Sequence, residues 1–315
     1  MFDIPIVFFF HKRLDCIKKS LEKIILINPE TLFLISDGPK NFGEQKICDI
    51  NRNYVLRKLF QKKIKIIKIF SNNNLGTKNR VISGLDYVFK KVPNAIILED
   101  DCVANKSFFN FSKFILNNHS TNKDIYAVTG QSFQKFNNKD GYYYSKYSHC
   151  WGWGTWASRW KKFDKKMSFW PKWKKSKNWK NLFDDELERK YWEYIYNKTY
   201  SNQIKSWNYM WQAYVWMQNG LIATPYKNLV QNIGFGEDST NTKDKNSNLI
   251  RKIYEIKTIK INNSYMISKK NDKNVFFDIY FSNKFFLKNL FFYYMFYIIL
   301  HPIFLLNKII KYLRK

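Results

Sequence analysis

The chain has 315 residues, 45% of them hydrophobic, and its 54 Lys+Arg against 25 Asp+Glu give a net charge of +29. That length supports one large domain, or one with an appendage, and the charge favours a polyanionic partner: nucleic acid, an anionic membrane face or a phosphate-bearing substrate. The cysteines, Cys16, Cys48, Cys102 and Cys150, are far apart with no CxxC spacing, which argues against a disulfide framework or a zinc site and suits a reducing compartment.

The N-terminal "MFDIPIVFFFHKR" has no basic region before its apolar run and no small-residue cleavage site, so it reads as a first strand over 4–10 and not as a signal peptide. "DCIKKSLEKIILI" places Ile17, Leu21, Ile24 and Ile25 at helical spacing. "TLFLISDGP" is a second buried strand closed by a turn signal, and "KIKIIKIF" a third. A polar loop, "SNNNLGTKNR", leads to a helix, "VISGLDYVFKKV", and "NAIILEDD" is a fourth strand. Strands alternating with helices predict a parallel α/β sheet over the first hundred residues. After residue 110 the pattern becomes an α+β mixture. It holds "YAVTGQSF", the aromatic "YYYSKYSHCWGWGTWASRW", a helix in "DDELERKYWEYIY", and "SWNYMWQAYVWMQNGLIATP". Residues 241–248, "NTKDKNSN", read as a surface linker.

In such sheets ligands sit beyond the carboxyl ends of the strands, where Asp37 and the triplet Glu99-Asp100-Asp101 fall. Asp37, before Gly38-Pro39, suits a turn or cap as well as a ligand contact. The triplet is harder to explain as a cap, because three adjacent carboxylates repel one another unless a cation or hydrogen-bond donors hold them. A hard divalent ion beside a diphosphate is typically held by one or two carboxylates plus phosphate oxygens. The triplet therefore suggests a nucleotide-sugar site, with one acid for the metal and another for ribose or sugar hydroxyls. Lys-rich "WKKFDKKMSFWPKWKKSKNWK" interleaves basic residues with Trp, a pattern that suits base stacking, but no nucleic-acid motif accompanies it and no nucleic-acid partner is expected. In the tail, Leu290 to Leu306 carries no formal charge but is interrupted by His301 and Pro302. With its flanking Lys and Arg, it reads as an interfacial amphipathic segment drawn to anionic lipid.

Seven blocks in order resemble the GT-A glycosyltransferases, in particular bacterial family-2-like enzymes related to N-acetylglucosaminyltransferase I. They are "IPIVFFFHKR", "LISDGP", "NNNLGTKNRVISGLDYVF", "VPNAIILEDDCVANKSFFNF", "CWGWGTW", "SWNYMW" and "ATPYKNLVQNIGFGEDST", spanning roughly residues 4 to 242. The resemblance implies an α/β, Rossmann-like GT-A fold with a mixed central sheet and a C-terminal amphipathic helical tail. The catalytic domain would cover 1–245, with a nucleotide-binding half (1–110) and an acceptor half (111–245). A linker or extension (246–274) and basic-aromatic membrane-associating helices (275–315) would follow.

By the same resemblance Arg13, Asp37, Lys78 and Arg80 meet the nucleotide, Glu99 and Asp100 contact sugar and ribose, and Asp101 is the Mn2+ or Mg2+ ligand. Trp153, in its block with Trp151, covers the transferred sugar, and Ser239 closes over the diphosphate. The family's general-base Asp is here Asn208, a neutral amide that cannot accept a proton, and base catalysis is typically worth about 10²–10⁴-fold. Glu237 and Asp238 are the expected substitutes as base. The implied activity is metal-dependent, inverting transfer from a nucleotide-diphosphate sugar to a glycan or lipid-linked acceptor. It would take place in the cytoplasm, on the inner membrane face. A sugar-nucleotide-binding pseudoenzyme is the alternative that Asn208 raises.

Overall fold

Two short apolar strands, β1 (Ile6–Phe10) and β4 (Asn94–Glu99), run side by side in parallel at the centre of the sheet, with Ile6 opposite Ile96 and Phe9 opposite Glu99. Every residue of β1 is buried, as expected for a strand covered on both faces. The structure is a computed structural model that describes residues 1–135, 139–236 and 249–281.

Helix α1 (Leu14–Ile27) returns the chain from β1 to β2 (Thr31–Ser36), burying Ile17, Leu21 and Ile24. It stops at Asn28, whose φ of 54° is a left-handed C-cap. Helix α2 (Phe42–Leu59) leads to β3 (Lys65–Phe70), and α3 (Gly76–Lys91) leads to β4. The edge strand β3 carries Lys65 and Lys68, charges that discourage pairing with another chain.

Beyond β4 come β5 (Cys102–Ala104), α4 (Lys106–Asn118), β6 (Ile125–Thr129), β7 (Tyr142–Ser145) and β8 (Trp153–Trp156). Three short helices follow, α5 (Ala157–Trp160), α6 (Trp170–Trp173) and α7 (Lys177–Asn181), then α8 (Glu186–Tyr200) and α9 (Trp207–Met217). The remaining elements are β9 (Leu221–Pro225), β10 (Val230–Asn232) and α10 (Lys269–Val275), which runs into one wider turn over Phe276–Tyr280.

Eight strands form one sheet in the order β3-β2-β1-β4-β8-β6-β9-β7. The first four are parallel, β8 is antiparallel to both neighbours, and β7 is antiparallel to β9, so the sheet is mixed. This is the α/β architecture with a mixed central sheet that the resemblance implies. The order reverses at β1, which has β2 on one side and β4 on the other, making a topological switch point there. A small ribbon, β10 antiparallel to β5, pairs Asn232 with Cys102 directly after the acids.

One face of the sheet carries a core of indoles. Trp153 stacks on Trp207 at 5.5 Å and lies 6.0 Å from Trp211, while Trp170, Trp173 and Trp179 meet edge to face at 4.9–5.8 Å. The Trp residues of the basic stretch are therefore buried, and that segment presents lysines, not rings, to solvent. Residues 275–281, expected to begin the membrane-associating helices, are packed into this same core through Val275, Phe276, Phe277 and Phe281. Residues 282–315 lie outside the described residues, and among the described ones no helix is long and apolar enough to cross a membrane.

Candidate active site at the ends of β1 and β4

Arg13 stands in the three-residue loop between β1 and α1, and the triplet closes β4, so the parallel pair at the switch point brings them together. A single guanidinium nitrogen of Arg13, Nη2, donates to Asp100 Oδ1 and, at 2.8 Å, to Asp101 Oδ2. Asp100 also accepts from the backbone N–H of His11 at 3.1 Å, and its carbonyl accepts from Ser20 Oγ at 2.8 Å. Among the described residues Asp101 Oδ1 has only the Cys102 thiol, at 3.5 Å. Two of the three carboxylates are thus held by an internal cation that the sequence reading had assigned to the nucleotide.

Glu99 is different. It is half-buried and has no side-chain hydrogen bond to any described residue. Burial, then the charges of Asp101 and Asp100, push its carboxyl up to about 8. Burial likewise lifts Asp100 to about 6, with Arg13 pulling the other way. For Arg13 burial works against the charge, but Asp100 and Asp101 outweigh it and raise its pKa. Three carboxyls share one guanidinium, so the cluster lacks positive charge even with Arg13 in place. Hard carboxylate oxygens of this kind suit a divalent cation. Among the described residues no three His, Cys, Asp or Glu side chains are arranged to hold one alone, so phosphate oxygens would complete its shell. In that role Asp101 would be the protein's ligand.

The loop after β10 walls the cluster. Ile233 N–H donates to the Asp101 carbonyl at 2.9 Å, and Gly234 N–H to Asn232 Oδ1 at 2.8 Å. Gly234 is glycine because of space: a Cβ there would collide with Asp101 Oδ2 and Arg13 Nη1. Phe235 then meets the half-buried Trp151 edge to face at 5.8 Å. Glu237, Asp238 and Ser239, expected next in this loop, lie outside the described residues.

The other expected residues occupy distinct places. Asp37 accepts from Gly38, Leu75 and Gly76 N–H groups, each at 2.9 Å, so its carboxylate caps α3 and pins the loop before it. Gly38 packs so closely on the Asn72 and Asn73 backbone that no Cβ fits. Lys78 reaches Asn202 Oδ1 at 3.1 Å and makes no hydrogen bond to the acids. Arg80 is buried, with Nη2 donating to the Ile69 carbonyl and Nε without a partner among the described residues. Trp153 is only 2% exposed and stacked on Trp207, so its ring belongs to the core; the accessible indole of its block is that of Trp151. Asn208 sits in the first turn of α9, which Ser206 caps, and its Oδ1 is buried without a partner among the described residues. Two residues before Trp151, His149 is neutral, driven down to about 3 by burial, with its ring edge on Phe133 at 4.8 Å.

His11, Ser20 and Gly234 escaped sequence reasoning. Gly234 had a signal, the "GFG" punctuation before two acids, whereas His11 acts through its backbone and Ser20 from a helix face, neither of which a motif displays. A separate open pocket, lined by Asp49, Arg52, Asn53, Leu56, Lys68 and Phe70, lies between α2 and the edge strand and does not include the acids.

No protein-family model and no curated protein matches the chain. Among solved structures it is similar to a galactosyltransferase, LgtC, in complex with donor and acceptor sugar analogues, at 12% identity and a TM-score of 0.37, over 70% of this chain and 73% of that one. It is similar to UDP-glucose pyrophosphorylase at 7% identity and a TM-score of 0.31, over 50% and 78%. Mouse xyloside xylosyltransferase 1 gives 12% identity and a TM-score of 0.27, over 42% and 54%. Overlaps this partial leave the functional reading to rest on the site's own residues.

Proposed function

We propose that the protein is a glycosyltransferase that moves a hexosyl or N-acetylhexosaminyl group from a nucleotide-diphosphate sugar to a glycan or lipid-linked acceptor, with inversion, in the synthesis of a bacterial cell-surface glycan such as lipopolysaccharide. The observation that carries this reading is the location of the acid cluster. Arg13 from β1 and Glu99–Asp101 from β4 meet at the switch point of the parallel strands, where α/β sheets bind nucleotides.

In this reading Arg13 faces the diphosphate, Glu99 takes a sugar hydroxyl and Asp100 the ribose, while Asp37, Lys78 and Arg80 shape the nucleotide side. Asp101 holds Mn2+ or Mg2+, which when bound neutralises the charge developing on the leaving diphosphate. Asn208 stands where the family's base would be, and its neutral amide takes no proton. Glu237 or Asp238 takes the proton, Ser239 closes on the phosphates, and Trp153 backs the sugar pocket from the core. Residues 282–315 bring the site to the inner face of the membrane.

An assay of donor hydrolysis and transfer over a panel of nucleotide sugars tests the proposal. Activity lost in Asp101→Asn supports it, and activity retained in that variant contradicts it. A sugar-nucleotide-binding protein without transfer is the second reading, favoured by the amide at position 208. Donor binding without turnover across the acceptor panel would select it.

A further inference from the structure

We propose that Arg13 is a displaceable counter-cation. It closes the Asp100–Asp101 pair while the site is empty of donor and moves onto the donor's phosphates when they enter, so that Asp101 accepts a divalent cation only together with the nucleotide. The inference rests on the reading of the acid cluster as the donor site.

The geometry supports an exchange and not a permanent lock. An arginine built to hold a carboxylate usually engages it with two parallel N–H bonds. Here one nitrogen, Nη2, serves both acids, and Nε and Nη1 have no hydrogen-bond partner among the described residues. Those N–H donors suit phosphate oxygens, which a planar guanidinium can bind in the same forked manner. The side chain is 27% exposed while Asp100 and Asp101 are 7% and 12% exposed, so the arginine forms the solvent side of the cluster and can leave it. The two acids also differ in what remains when it leaves. Asp100 keeps the His11 N–H, whereas from the described residues Asp101 keeps only the Cys102 thiol and is left in want of a cation. Gly234 has no side chain to crowd Asp101 Oδ2 and Arg13 Nη1, so the space beside the guanidinium is kept open to it.

Arginine and a divalent ion then compete for one carboxylate oxygen, and removing the arginine must strengthen cation binding in the absence of nucleotide. The test is calorimetric titration of the full chain with Mn2+ alone, comparing the native protein with Arg13→Gln. The expected result is at least tenfold tighter binding in Arg13→Gln, abolished when Asp101→Asn is added. Equal or weaker binding by Arg13→Gln, with Mn2+ still bound by the native chain in the presence of nucleoside diphosphate, overturns the exchange while leaving the donor-site reading intact. Failure of both proteins to bind Mn2+ even with nucleoside diphosphate overturns the donor-site reading and the exchange with it. If Arg13→Gln does not fold, the native chain serves. Nucleoside diphosphate with Mg2+ should lower the rate at which phenylglyoxal modifies Arg13 severalfold, read by peptide mass spectrometry, while Mg2+ alone leaves it unchanged; a rate unmoved by the pair, or moved equally by Mg2+ alone, overturns the proposal.

Discussion

The molecule buries carboxylates beside a cation in two places, and the two are built differently. At the end of β7, Asp272 of α10 accepts from Ser145 Oγ at 2.6 Å and from the Lys146 N–H at 2.9 Å. Glu188 accepts from the Tyr147 hydroxyl and pairs with Lys146 Nζ at 2.9 Å, with both side chains under a tenth exposed. The Lys146 ammonium also rests on Phe183 at 4.6 Å. Neutral donors and aromatic rings thus complete the set, which fastens the C-terminal segment to the sheet. At the ends of β1 and β4 one arginine nitrogen covers two acids and Glu99 has nothing from the described residues. The first arrangement is closed and serves the fold. The second is short of donors and of positive charge, the condition in which a ligand has something to supply.

Consequences follow if this contrast is real. Deep in the aromatic core, Trp153→Ala should lower stability by about 3–5 kcal/mol, because it removes a large ring from a packed stack; a small loss by denaturant unfolding would mean that the ring is not core. Asp272→Ala should cost about 2–3 kcal/mol, because the buried Ser145 hydroxyl and Lys146 N–H lose their acceptor. Donor binding should nevertheless be retained at a temperature where the variant is folded, which places the closed cluster outside the site. Asp101→Asn should show the opposite pattern, with the melting temperature nearly unchanged and cation-dependent nucleotide binding at least tenfold weaker by calorimetry.

Stability should also depend on pH in a definite sense. Burial raises Asp272 to about 7 in the folded chain, above its ordinary value of 3.8. The folded state therefore holds a proton that the unfolded state releases between those values, and stability falls as pH rises from about 4 to about 7. Asp272→Asn should flatten the decline in melting temperature over that interval; a native curve that rises there would refute the assignment. The smallest effect belongs to Lys78→Ala. Its side chain makes an exposed hydrogen bond to Asn202, so stability should change by less than about 0.5 kcal/mol.

Much of the parallel part of the sheet was legible because three of its four strands are apolar runs ending in a polar signal. Ile6 to Phe10, Thr31 to Ser36 and Asn94 to Glu99 all behave this way. Helix α2 was not legible. Its buried residues are Cys48, Asn51, Arg52, Val55 and Leu59, a mixture of polar and apolar groups that shows no clean stripe. The start of α3 at Gly76, five residues before the apolar pattern begins, depends on a cap supplied by Asp37 from another strand, which local spacing does not encode. The acids were legible as a cluster, but their capture by Arg13 was not. A residue that is 87 positions away in sequence becomes a neighbour only once β1 pairs with β4. For the same reason Trp153 read as a sugar platform, although its stacking on Trp207 makes it part of the core.

Direct titration of the native full chain with nucleoside diphosphate sugars, with and without Mn2+, bears on the donor site before any question of acceptor arises. The account predicts at least one donor that raises the melting temperature by several degrees when Mn2+ is present, and no such rise in Glu99→Gln/Asp101→Asn. A panel of donors that leaves the native melting temperature unchanged with the cation, or shifts it equally in the double variant, would contradict it.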